Sequence, residues 1–148
     1  MITEMYRLVY YSRNRVQGNA DVFASAVRTI LAASRRNNVQ AGVTGALLFN
    51  AGCFGQVLEG HPRAVETTFE RIQRDPRHGD VSLLAFAPIT DRAFPNWSMA
   101  FVGTETIEAA RFGGIATESG FDPSRMTADH LFESLHRLTL EEERSAAA

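Results

Sequence analysis

Two periods of apolar spacing alternate along this chain. Residues 5 to 12, MYRLVYYS, are β-branched and aromatic and predict a strand, and the polar, glycine-containing RNRVQGN predicts the turn after it. In ADVFASAVRTILAASRRNN the residues Val22, Phe23, Ala26, Val27, Ile30 and Leu31 recur at helical spacing. They predict a helix beginning near Asn19 or Ala20, with Asn37-Asn38 as its stop. GVTGALLFN and GCFGQVLEG read as strands joined by Asn50-Ala51-Gly52, so residues 42 to 59 predict a hairpin. A second helix starts after Gly60 with Pro62 in its first turn, carries Val65, Phe69 and Ile72 on one side, and ends before DPRHGD. VSLLAFAPI and NWSMAFVG supply two further strands.

The order β-α-β-β-α-β-β predicts an α+β fold of the ferredoxin-like type, an antiparallel-rich sheet with two helices on one face. Residues 1–103 complete that unit, and residues 104–148 form a C-terminal segment. In it TETIEAARFGG predicts a short helix stopped by glycines, and Ala128, Leu131, Phe132, Leu135 and Leu138 predict a helix near residues 127 to 143. The tail EEERSAAA is expected to fray. RLVYYS and GALLF are apolar on both faces, so the sheet face away from the two helices needs a cover. The C-terminal helix, from this chain or a neighbour, is the natural one.

Composition narrows the chemistry. The 148 residues are 45% hydrophobic and 22% charged, which fits one globular domain with a real core. A net charge of -2 without long like-sign runs gives no basis for binding nucleic acid or an anionic membrane. No apolar stretch approaches the roughly 18 residues of a membrane span, and the N-terminus lacks a signal layout, so a cytoplasmic location is expected. Cys53 is the single cysteine, and all fifteen cationic side chains are arginine, which removes an internal disulfide, a CxxC pair and Schiff-base chemistry. The four histidines have no metal-ligand spacing, and GxSxG, GxGxxG and GxxxxGK are all missing. These eliminations point away from an enzyme.

One residue breaks the pattern. Strand alternation puts Phe54, Gln56 and Leu58 on one face and Cys53, Gly55 and Val57 on the other, so Gln56 is an amide in apolar company. An unpaired buried amide costs on the order of 1–3 kcal/mol, so Gln56 needs buried partners. Tyr10, Trp97 and Met99 on neighbouring strands are candidates; backbone bonding within an ordinary core is the other possibility.

The segments RLVYYS, NNVQAGVTGALLF, FGQVLEG, RIQRDPRH and FPNWSMAF, taken in order, resemble BLUF domains, the blue-light sensors that use FAD. The resemblance covers roughly residues 5 to 103. It implies a flavin ring between the two helices, over the sheet face that carries a tyrosine and a glutamine. By motif, Tyr10 would bond the Gln56 amide and Gln56 would bond the flavin near N5 and O4; Tyr11 is the rival, but alternation sends it to the opposite face. The resemblance further implies that light drives proton-coupled electron transfer from Tyr10 by way of Gln56, leaving the amide rotated or tautomerised. Asn38 matches the asparagine at the ring's pyrimidine edge, with Asn37 and Ser34 beside it. Arg71 and Asp75, one turn apart on the second helix, match a pair near that edge. Arg77 and His78 match residues close to the ring or ribityl chain, and Phe54 shares the flavin-facing side. Trp97 and Met99 would compete for the slot beside Gln56. A cysteine adduct of the LOV type is not expected, because Cys53 points away from the Gln56 face.

The expectation is a short blue-light photoreceptor that binds FAD non-covalently and signals through the last strand and C-terminal helices to a separate partner protein, as a homo-oligomer, dimer or higher. The rivals are a flavin-dependent oxidoreductase and a flavin-free ferredoxin-like regulatory module.

Overall fold

A computed structural model of the chain describes residues 4–14, 20–49, 53–76, 78–95, 100–103 and 127–147. The elements are β1 (Met5–Asn14), α1 (Ala20–Ala41), β2 (Thr44–Phe49), β3 (Cys53–Gly60), α2 (Pro62–Gln73), β4 (His78–Ile89), β5 (Ala100–Gly103) and α3 (Ala128–Ala147). The strands form one sheet in the order β4-β1-β3-β2-β5. The first four pair antiparallel and β5 joins β2 in parallel, which is the ferredoxin-like arrangement with an added edge strand.

Period-two alternation divides the core into two layers. On one face Leu8, Tyr10, Leu47, Phe54 and Leu58 pack with Ile30 and Leu31 of α1 and Val65 of α2. On the other, Val9, Ala46 and Val57 pack with Leu131 and Leu135 of α3 and with Phe94 from the loop after β4. The cover required for the second sheet face is therefore α3 of the same chain.

β1 runs two residues past the expected strand, to Asn14, and β4 begins at His78, three residues before the expected VSLLAFAPI. Two helix ends also differ from the sequence expectation. Helix α1 does not stop at Asn37-Asn38 but runs to Ala41. Gly42, at φ +70, ends it: its N–H donates to the Val39 carbonyl at 3.4 Å and the Val43 N–H donates to the Asn38 carbonyl at 2.9 Å. That is the glycine-capped Schellman pattern, which satisfies carbonyls that an asparagine pair inside the helix leaves to it. Helix α3 continues through the tail to Ala147 instead of fraying after residue 143; its start is capped by the Thr127 hydroxyl, which accepts from the His130 N–H at 3.1 Å. Helix α2 ends at Gln73, before DPRHGD as expected, so Asp75 lies in the turn beyond it and not, as the pairing with Arg71 implied, on the helix itself. The short helix expected in TETIEAARFGG falls outside the described residues.

Candidate functional site

β1 and β3 position the central pair. Tyr10 and Gln56 are register partners across antiparallel strands, and Leu47 of β2 faces Gln56 from its other side. On the β4 side, the β1 register shifts between Val9 and Tyr10, an irregularity of the kind that re-aims a side chain at a site. Both residues are buried. The Tyr10 hydroxyl donates a hydrogen bond to Gln56 Oε1, so the amide meets the phenol through its acceptor and turns its donor end away from it. The Tyr10 ring is held against Phe69 of α2, with ring centroids 5.3 Å apart. Burial pushes the Tyr10 hydroxyl well above the ordinary phenol range, and the negative charge of Asp75 adds to the shift. The phenol therefore keeps its proton across the physiological range.

Beside this pair lies a cavity of about 510 Å³ between α1, α2 and the sheet, lined by Ile30, Ala33, Ser34, Asn37, Leu47, Gln56, Arg71, Ile72, Arg74, Asp75 and Pro76. Its volume falls in the usual range for small-molecule sites. Ile30, Leu47 and Ile72 give apolar walls, while Ser34, Asn37, Gln56, Arg71 and Asp75 give donors and acceptors. That combination suits a flat heteroaromatic ring with one polar edge.

Five of the expected residues, Ser34, Asn37, Gln56, Arg71 and Asp75, line this cavity together. Tyr10 and Phe54 are buried in the same layer. Asn38 is buried but is not among the lining residues; its carbonyl closes the end of α1. His78 opens β4, and Arg77, Trp97 and Met99 lie outside the described residues. Arg74 and Pro76, which line the cavity from the turn after α2, were not singled out from the sequence, although both sit in the quoted RIQRDPRH. Ala33 and Leu47 carry no chemical signal that could have marked them.

A family model described as sensors of blue light using FAD matches residues 5–100. The chain belongs to the BLUF family. The photoactivated adenylate cyclase subunit beta of Euglena gracilis is 35% identical over 107 residues, which is 71% of this chain but 12% of the length of that protein. Among solved structures, the BLUF protein BlrB in its dark state superimposes with a TM-score of 0.72 at 34% identity, covering 97% of this chain and 99% of that one. The photo-activated state of BlsA gives 0.73 at 30% identity, covering 89% and 94%. FAD is accordingly the cofactor of the family to which this BLUF chain belongs, and the cavity beside Gln56 has the walls and polar edge to take its ring.

Proposed function

We propose that this BLUF chain is a blue-light receptor whose switch is the Tyr10–Gln56 pair, with FAD held in the cavity that Gln56 lines. The observation that carries the reading is the hydrogen bond from a buried phenol to a glutamine that also forms the cavity wall. FAD, when bound, supplies absorption of blue light and, once excited, oxidising power. The chain's residues supply the rest. Ser34, Asn37, Arg71 and Asp75 would hold the polar edge of the cofactor, with Asn38 assigned to that edge by the family motif and Arg77 and His78 assigned by the same motif to the ring or the ribityl chain. Tyr10 would give up an electron and a proton to the excited cofactor and recover both before the cycle closes, and its buried hydroxyl stays protonated until light is absorbed. Gln56 changes which end of its carboxamide faces the phenol. A carboxamide suits this because one end accepts and the other donates, so reorienting a single side chain inverts the local bonding.

Residues 1–103 act as the sensor and residues 104–148 as the output segment. Trp97 and Met99, in the stretch leading into β5, are the positions through which a change at Gln56 reaches it. The chain itself is not an enzyme in this reading: the cyclase activity named for the Euglena relative belongs to a protein of which this chain spans a small part, and the signal here passes to a separate partner protein or a second copy.

The test is the absorption spectrum of the FAD-loaded protein before and after blue light. The wild type should show a small red shift that reverses in the dark, and Tyr10→Phe and Gln56→Ala should show none. A shift of the same kind in either variant would remove that residue from the switch. Reduction of the flavin on mixing with NAD(P)H would favour the oxidoreductase instead.

A further inference from the structure

The residue three positions beyond Gln56 on β3 faces the other way. Glu59 lies on the α3 side of the sheet, where it is fully buried, and it gathers the segment that follows β4. Its Oε1 accepts from the N–H groups of Ala93 and Phe94, both at 2.9 Å, and its Oε2 accepts from Ala93 at 3.1 Å. Arg7 of β1 donates to the same Oε2 from Nε at 2.8 Å and pairs with it through Nη2 at 2.8 Å. Arg92 closes the arrangement from outside. It donates to the Glu59 carbonyl at 3.1 Å, to Thr44 Oγ1 at 2.9 Å and to the Gly42 carbonyl at 2.8 Å.

This bonding reaches α3 by two contacts. Phe94, whose N–H the carboxylate holds, is fully buried and packs edge-on against Phe132 and His136 of α3, at centroid distances of 6.0 and 5.6 Å. Arg7 lies over the face of Phe132, with its guanidinium carbon 4.0 Å from the ring centroid. One carboxylate thus ties β3 to β1, to the loop after β4, and through Phe94 and Arg7 to the C-terminal helix. The polar contacts are directional and the aromatic ones close-packed, so a displacement of β3 is not absorbed locally; it must move the loop and α3 or break these bonds.

We propose that Glu59 is a positioning residue for signal output, a latch through which rearrangement at Gln56 is transmitted along β3 to the loop after β4 and to α3. The proposal rests on the reading of Tyr10 and Gln56 as the light switch. It differs from that reading in placing the transmission on the opposite sheet face, in residues that do not touch the cofactor cavity. Glu59→Gln keeps the size of the side chain while removing the charge that Arg7 pairs with and replacing one acceptor by a donor facing backbone N–H groups.

The experiment is amide hydrogen exchange of the full FAD-loaded chain, in darkness and under blue light, with the absorption spectrum recorded on the same samples. The wild type should show the red shift and a light-dependent change in exchange over residues 90–95 and 128–147. Glu59→Gln should keep the red shift and lose the light-dependent change over 128–147. A purely structural role would raise exchange in α3 equally in dark and light and leave the light-dependent difference in place, and that result overturns the latch. Should Glu59→Gln fail to fold, Arg7→Gln removes the guanidinium that pairs with the carboxylate and lies over Phe132, while the backbone N–H bonds to Glu59 remain. It should diminish the same light-dependent difference, and a value equal to wild type overturns the proposal. A wild type with a normal red shift but no light-dependent change in α3 also overturns the latch while sparing the switch; a wild type without the shift overturns both.

Discussion

Tyr10 and Gln56 face each other across two antiparallel strands, and their chemistry follows from burial. The shift in the Tyr10 hydroxyl gives a stability prediction with a definite sign. In the unfolded chain a phenol ionises near pH ~10, whereas in the folded protein desolvation, reinforced by Asp75, holds the proton to higher pH. Below about pH 10 both states carry the proton and Tyr10 adds no pH dependence; above it the unfolded state binds fewer protons and stability falls as pH rises. Denaturant midpoints should therefore drop more steeply above that point in the wild type than in Tyr10→Phe, with Tyr6 and Tyr11 common to both; parallel curves would contradict the burial argument. Gln56 was legible in the sequence because an amide among Phe54, Val57 and Leu58 breaks a strand's apolar pattern. Glu59 was not. A glutamate next to Gly60 reads as the polar end of a strand, and the partners that bury it, Arg7, Ala93 and Phe94, are distant in the chain and brought together only by the sheet.

At the level of elements, strand alternation assigned the two faces of β3, and the core layers agree: Phe54 and Leu58 pack with α1 and α2, Val57 with α3. Helix ends were less legible. Asn37-Asn38 has the composition of a stop, but asparagine is tolerated inside a helix when a better terminator follows, and Gly42 in the left-handed region is that terminator. The cavity wall does not depend on this turn, because its α1 residues, Ile30, Ala33, Ser34 and Asn37, all precede it. Gly45 marks a second constraint between elements. A Cβ placed there would lie 1.9 Å from the Val57 carbonyl oxygen, so β2 can approach β3 at this point only with glycine. Gly45→Ala should destabilise the protein by about 1–3 kcal/mol, as overpacking against backbone does, read as a lower urea midpoint; an unchanged midpoint would show that the strands separate there at no cost.

For the whole molecule, the ferredoxin-like order and its last strand could be read from the succession of periods, whereas the parallel pairing of β5 with β2 and the full length of α3 could not, because neither is set by local pattern. Among the described residues no helix is long and apolar enough to cross a membrane, and no cluster of histidine, cysteine and acidic side chains has metal-binding geometry. The two faces of the sheet are occupied differently: one forms the cavity with α1 and α2, and the other is tied to α3 through Val57, Phe94 and Glu59. In the proposed route the signal crosses a single layer of β-strands, and β3 contributes residues to both faces. The proposed switch depends on the Gln56 carboxamide changing its bonding when light is absorbed. The most direct measurement is the light-minus-dark infrared difference spectrum of protein carrying side-chain-labelled glutamine. The predicted result is a reversible, label-sensitive carboxamide band that is absent from Gln56→Ala; a red-shifted lit state with no label-sensitive band would contradict it.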